Sequence, residues 1–256
     1  MKPRVIVLHA TGTNRDREAA WAIEMAGGEP EIIHINALRD GDHRLAGYQM
    51  LLLPGGFSYG DDLGAGKLWA VGLRHRLGAD LEQFVADGKP VLGICNGFQA
   101  LIKSGLLPGS GSDAAQQATL TRNASAHFEC RWVQLAPEPD SRSVFLNGDT
   151  ENIFCPVAHG EGRFVADPVA LDRMESEGLV ALRYAAPDGQ VSYPANPNGS
   201  MNNVAGITNP AGTILGLMPH PEDHIVPGQH PQAHRGEVHG SGLPLFRNGV
   251  NYASHM

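Results

Sequence analysis

The segment Pro90-Val91-Leu92-Gly93-Ile94-Cys95-Asn96-Gly97-Phe98-Gln99 constrains this chain more than any other. A short apolar run ends at a cysteine and passes at once into a helical pattern. A strand that feeds a helix with no loop between them must turn sharply. Gly93 and Gly97 are spaced to let strand and helix approach closely around that turn. The layout lifts one thiol to the tip of a strand and aims a helix N-terminus at it.

The same strand-then-helix texture fills the first half. Residues 4–8 form a compact β-branched run. Residues 16–26 carry Ala19, Ala20, Ile23 and Ala26 at helical spacing and end at Gly27-Gly28. Further strands are predicted at 31–35, 50–53 and 91–94. Further helices are predicted at 77–86 and 97–104, the latter followed by Gly105 and Pro108. This alternation predicts an α/β fold with a mostly parallel central sheet flanked by helices. In such sheets, sites form at the C-terminal ends of strands. Gly55-Gly56 and Cys95 both lie at such ends.

Beyond residue 107 the texture changes. Residues 110–118 are small and polar and read as an exposed loop. Short strands are expected at 180–185, 190–193, 204–208 and 213–218. Asn209-Pro210-Ala211-Gly212 joins the last two as a hairpin, which adds antiparallel strands in the second half. Residues 226–256 are rich in Pro, Gly and His, have weak periodicity, and read as a surface-wrapping tail. No repeat or linker divides the chain, so residues 1–256 read as a single domain.

Composition excludes several classes. With 256 residues, 42% of them hydrophobic, the chain has enough core to fold unaided. Its net charge is -8 and Lys and Arg are nowhere concentrated. Nucleic acid and anionic membrane surfaces are therefore not expected partners. No apolar run is long enough to span a bilayer, and residues 1–9 lack the features of a signal peptide. Three distant cysteines make no disulfide framework, so a reducing, cytoplasmic setting is expected. The sequons at Asn123 and Asn198 then read as chance matches, and Cys130 and Cys155 as packing residues.

Three segments carry chemistry. A lone cysteine is more often a buried structural thiol than a nucleophile. Here a helix N-terminus follows Cys95 and stabilises a thiolate, while the Asn96 N–H points to where an oxyanion forms. His220-Pro221-Glu222 follows a strand, and Pro221 pushes His220 into an extended backbone. Residues two apart then share a side, so Glu222 holds one imidazole nitrogen of His220 and leaves the other for the thiol. Pro54-Gly55-Gly56-Phe57-Ser58-Tyr59-Gly60-Asp61 ends a strand with backbone N–H groups open to a substrate oxygen. Taken alone it reads as a tight turn.

Together, Gly93-x-Cys95-x-Gly97-x-Gln99 and His220-Pro221-Glu222 resemble the triad class (class I) of glutamine amidotransferases. Other segments narrow the likeness: residues 54–61 and 95–99, Ala158-His-Gly-Glu-Gly162, Asn196-Pro-Asn-Gly-Ser200, Ala205-Gly-Ile207 and Gly216-Leu-Met-Pro-His-Pro-Glu222. They resemble the glutaminase subunits of phosphoribosylformylglycinamidine synthases, over most of the chain. The resemblance implies a flavodoxin-like fold and hydrolysis of L-glutamine to glutamate and ammonia. It implies Cys95 as nucleophile through a glutamyl thioester, His220 as acid and base, and Glu222 as its orienter. Gly56 and Asn96 are the implied oxyanion donors, and Gly55, Phe57, Gln99 and His159 the implied glutamine pocket. It also implies two partners, a synthetase subunit that binds ATP and magnesium and a small assembly subunit, with no cofactor in this chain. Two stretches depart from the family pattern: His9-Ala10-Thr11-Gly12-Thr13-Asn14-Arg15-Asp16 and Gly60-Asp61-Asp62-Leu63-Gly64. Both bear on partner contacts, not on the triad.

Three rivals stand beside this reading. His220 and His224, with further tail histidines, hint at zinc, but two prolines break the helix that a His-Glu-x-x-His site needs, and no metal is assigned. A same-fold hydrolase or peptidase acting alone on another amide is the second. A non-catalytic regulatory subunit is the third, and an intact Cys95, His220 and Glu222 count against it.

Overall fold

The computed structural model describes residues 2–41, 44–109, 116–146, 151–236 and 239–256. Strands β1 (Arg4–His9), β2 (Glu29–His34) and β3 (Met50–Leu53) come first, with helices α1 (Asp16–Met25) and α2 (Ile35–Asp40) between them. Helices α3 (Lys67–Arg76) and α4 (Gly78–Ala86) lead to β4 (Val91–Ile94), and α5 (Asn96–Lys103) follows Cys95 directly. The second half holds β5 (Ala118–Thr121), β6 (Glu129–Pro137), β7 (Ile153–His159), β8 (Arg163–Ala166), α6 (Pro168–Ser176), β9 (Val180–Ala185), β10 (Val204–Thr208), β11 (Ile214–Leu217) and α7 (Leu243–Ala253).

Nine strands form one sheet in the order β2-β1-β3-β4-β11-β10-β9-β6-β7. The half from β2 to β11 is parallel, and the half from β11 to β7 is antiparallel. Strands β3, β4 and β11 are buried along their whole length. That is why they read as unbroken apolar runs rather than alternating ones. Met50 and Leu53 are three residues apart and point to opposite faces of the sheet. Gly249 of α7 lies against Met50, and Gly97 of α5 against Leu53, so these helices cover opposite faces. This is the α/β sheet flanked by helices that the sequence predicts, and the 209–212 hairpin forms between β10 and β11 as expected.

Several expectations need correction. Residues 190–193 form no strand, because both edges of β9 are already taken by β6 and β10. Within the supposed tail, α7 buries Leu243, Leu245, Phe246, Val250 and Ala253. Its period was present in the sequence but diluted by Pro244 and Gly249. Strands β6 and β7 lie outside the predicted strands; β7 alternates buried and half-buried positions, but Pro156 interrupts its sequence pattern. Cys155 packs in the core, but Cys130 is exposed and is no packing residue. Of the loop expected at 110–118, residues 110–115 lie outside the described residues and Ala118 begins β5. Among the described residues, no helix is long and apolar enough to cross a membrane.

Candidate active site

Cys95 stands between the C-terminal end of β4 and the first residue of α5, with φ 50° and ψ −105°. A non-glycine residue in that region persists only where its surroundings over-determine it, and such strain gathers at functional sites. The enforcing contacts are visible. A Cβ at Gly97 would lie 2.0 Å from Leu53 O, and one at Gly93 would lie 2.4 Å from Leu101 Cδ1 and 3.0 Å from the Gly97 backbone. Both glycines are thus needed for the close approach that the sequence anticipates. The thiol is only 4% exposed, and its Sγ lies 3.9 Å from Ala158 O.

His220 arrives from the end of β11. Its Nδ1 lies 2.6 Å from Glu222 Oε1, and both side chains are buried. The pairing does not come from an extended segment as expected. Pro221–Asp223 form one 3-10 turn, which brings Glu222 back beneath the imidazole. His220 Nε2 is buried and has no hydrogen-bond partner among the described residues. Gly55 fits between base and nucleophile: a Cβ there would lie 2.5 Å from His220 Cε1 and 3.4 Å from Cys95 Cβ. Only glycine leaves that gap for the two side chains. Catalytic contacts of this kind are often loose before substrate binds.

Burial alone would lower the pKa of His220. The negative charges of Glu222 and of a Cys95 thiolate overrule it and hold the imidazole well above its ordinary range. Asp223, next in the chain, is pushed up to about 6 by burial and by Glu222, with Arg15 opposing at 3.5 Å. His220, Glu222 and Asp223 offer ligand atoms within 4.8 Å of one another. The short bond between His220 and Glu222 commits one atom of each to the other. His224 is not part of that group; its Nδ1 meets Phe154 O at 2.6 Å.

The remaining predicted residues surround this centre. Gly56 has φ 146° and bridges to Thr13, where a Cβ would lie 2.7 Å from Asn14 N. Phe57 is half exposed and stacks on Phe128, with ring centroids 6.4 Å apart. His159 ends β7 and is buried, with Nδ1 unpartnered among the described residues. Burial, then the neighbouring His220, lowers its pKa to about 3, so it is neutral. The Gln99 carboxamide is engaged at both ends, donating to Glu161 O at 2.5 Å and accepting from Asn96 Nδ2 at 2.9 Å. It braces the site rather than offering a free polar group.

Sequence reasoning missed the polar frame. Asn123 donates to His159 O at 2.8 Å and accepts from Gly162 N at 3.0 Å. Asn198 donates to Gly162 O and to Tyr184 Oη and lies 3.4 Å from His159 Nε2. Both sequon asparagines are therefore buried frame residues. For Asn198 the neighbouring Pro197 and Gly199 were the available signal; Asn123, between Arg122 and Ala124, carried none.

A strained strand-end cysteine beside a histidine–carboxylate pair is the equipment of a thiol-dependent acyl-transfer enzyme. Residues 2–253 match the family model described as the CobB/CobQ-like glutamine amidotransferase domain. The chain belongs to this family of glutamine amidotransferases. It is 47% identical over 269 aligned residues to phosphoribosylformylglycinamidine synthase subunit PurQ of Treponema denticola, across 98% of this chain and 99% of that one. The protein of the same name from Dehalococcoides mccartyi is 44% identical, across 100% of this chain and 99% of its own. Among solved structures, PurLQS from Thermotoga maritima matches with a TM-score of 0.75 and 34% identity, over 98% of this chain and 99% of that one. A glutamine amidotransferase from Thermotoga maritima, 14% identical at a TM-score of 0.57, shares the fold.

Proposed function

We propose that this chain is the glutaminase subunit of a phosphoribosylformylglycinamidine synthase. It hydrolyses L-glutamine and delivers ammonia to a synthetase subunit. That partner uses ATP, with magnesium, to convert formylglycinamide ribonucleotide to the amidine in purine biosynthesis. A small assembly subunit completes the complex, and the setting is the cytoplasm. The observation that carries the reading is the strained Cys95 beside the His220–Glu222 pair, in a chain alike along its whole length to proteins of that name.

In the mechanism, Cys95 Sγ attacks the glutamine carboxamide carbon while His220 Nε2 takes the thiol proton. The oxygen that becomes negative is held by the N–H groups of Gly56 and Asn96. His220 then hands its proton to the departing nitrogen, which leaves as ammonia. A water deprotonated by His220 cleaves the glutamyl thioester and frees Cys95. Glu222 fixes the ring and offsets the charge on the imidazolium. Gly55, Phe57 and neutral His159 line the glutamine pocket, with Gln99 behind them.

The test is Cys95→Ala in the assembled complex. Synthesis from glutamine is lost and synthesis from free ammonia is retained. Retention of both activities would sink the reading, and loss of both would mean damaged assembly.

A further inference from the structure

Asn96 brings more to the site than its backbone N–H. The argument rests on the glutaminase reading above. Its side chain is fully buried, and its carboxamide is engaged at both ends. Oδ1 accepts from the Ser58 N–H at 3.1 Å. Nδ2 donates to Asp61 Oδ1 at 3.0 Å and to Gln99 Oε1 at 2.9 Å. Ser58 and Asp61 belong to the loop that follows β3, whereas Asn96 opens α5. The two oxyanion donors therefore sit on two elements that one carboxamide ties together.

The loop requires such a tie. Tyr59, Asp61 and Leu63 have φ of 58°, 53° and 62°, and Gly56, Gly60, Gly64 and Gly66 are positive as well. Left-handed backbone at three non-glycine residues is held only by surroundings that over-determine it. On one flank, Thr13 Oγ1 meets Ser58 Oγ at 2.9 Å, and the Phe57 N–H reaches Gly12 O at 3.2 Å. At the far end, the Ala65 N–H donates to Glu161 Oε2 at 3.1 Å, and Lys103 Nζ donates to Ala65 O. Between these anchors, the Asn96 carboxamide joins the loop to the helix that carries the nucleophile. Because the Ser58 N–H is a donor, Oδ1 must face it, which turns Nδ2 toward Asp61.

We propose that Asp61 and the Asn96 carboxamide form a positioning clamp that sets the Gly56 and Asn96 N–H groups in register over Cys95. Asp61 touches no reacting atom. It acts through Asn96, and the clamp serves the tetrahedral intermediate rather than the thiol itself.

The experiment compares wild type, Asp61→Ala, Asp61→Asn and Asn96→Ala, each assembled with the synthetase. Three readouts are taken: glutaminase kcat and KM, affinity for a γ-aldehyde analogue of glutamine, and the rate of Cys95 alkylation by iodoacetamide. The aldehyde adds the thiol to give a tetrahedral adduct that uses the oxyanion donors, whereas alkylation does not. Asp61→Ala is expected to lower kcat about 10- to 100-fold with KM within about threefold. Aldehyde affinity should fall by a similar factor, with alkylation unchanged. Asn96→Ala should show the same pattern. Asp61→Asn keeps an acceptor and should restore most of the rate. Unimpaired kcat in Asp61→Ala and Asn96→Ala, or parallel losses of turnover and alkylation, would overturn the clamp. A wild-type complex without glutaminase activity would instead overturn the functional reading on which it rests.

Discussion

His220 Nδ1 lies 2.6 Å from Glu222 Oε1, and neither side chain is more than 3% exposed. A charge pair removed from water this completely survives only with good geometry, because desolvation offsets most of the attraction. Glu222 Oε2 has no partner among the described residues, where the carboxylate's one hydrogen bond goes to the imidazole. The pair therefore sets both the orientation of His220 and its affinity for a proton. His220 is raised, so its contribution to stability is present below its ordinary pKa and is lost as pH climbs through the raised folded value.

Glu222→Gln keeps the shape and removes the charge. Burial then prevails over what remains, and the pKa of His220 should fall. Glutaminase kcat is expected to drop about 10²- to 10⁴-fold. The check is a pH–rate profile whose His220 limb moves to lower pH; an unmoved limb with wild-type kcat would refute the orienting role.

Acid sensitivity should trace to His159. Its pKa is lowered to about 3, so between about pH 6.5 and 3 the unfolded chain binds a proton that the folded chain refuses. Stability therefore falls as pH drops through that window. Urea unfolding of wild type and His159→Gln at pH 6.5 and 5.5 isolates the effect. The difference between the two pH values should shrink by about 1 kcal/mol in the variant.

Gly97→Ala places a Cβ 2.0 Å from Leu53 O and 2.8 Å from Leu53 Cβ. Backbone cannot yield as a flexible side chain does, so the elbow must open. A loss of about 3 kcal/mol in stability is expected, with glutaminase activity lost as well. Thermal melting and turnover together check it.

Phe246→Ala tests whether residues 226–256 belong to the core. Phe246 is fully buried on α7, which packs on α1 and β3. Truncation should cost about 3–5 kcal/mol, read as a lower unfolding midpoint. A surface-wrapping segment would show almost no change.

The parallel half of the sheet was legible because its buried strands are short apolar runs bordered by proline, Pro54 after β3 and Pro90 before β4. Residues 50–53 and 91–94 coincide with β3 and β4. The antiparallel half was less so. Strand β6 pairs with both β7 and β9, partners far along the chain, and Pro156 hides the alternation of β7. Of the site, the position of Cys95 between strand and helix and the pairing of His220 with Glu222 were readable from local spacing. The clamp residues Ser58 and Asp61, and the frame residues Asn123 and Asn198, were not.

Gly93, Cys95 and Gly97 dictate a strand-to-helix elbow with a thiol at its apex, through steric limits within a few residues of one another. Which of 12 histidines serves it, and how the oxyanion donors are held, depends on contacts between distant segments. Asn96 meets Ser58 across 38 residues and Asp61 across 35. The His220 side chain comes to the Cys95 side of Gly55 because β11 lies beside β4 in parallel register, Leu217 opposite Ile94. Local sterics are written in neighbouring residues, whereas pairing, burial and the resulting shifts in proton affinity arise only once the sheet has closed around them.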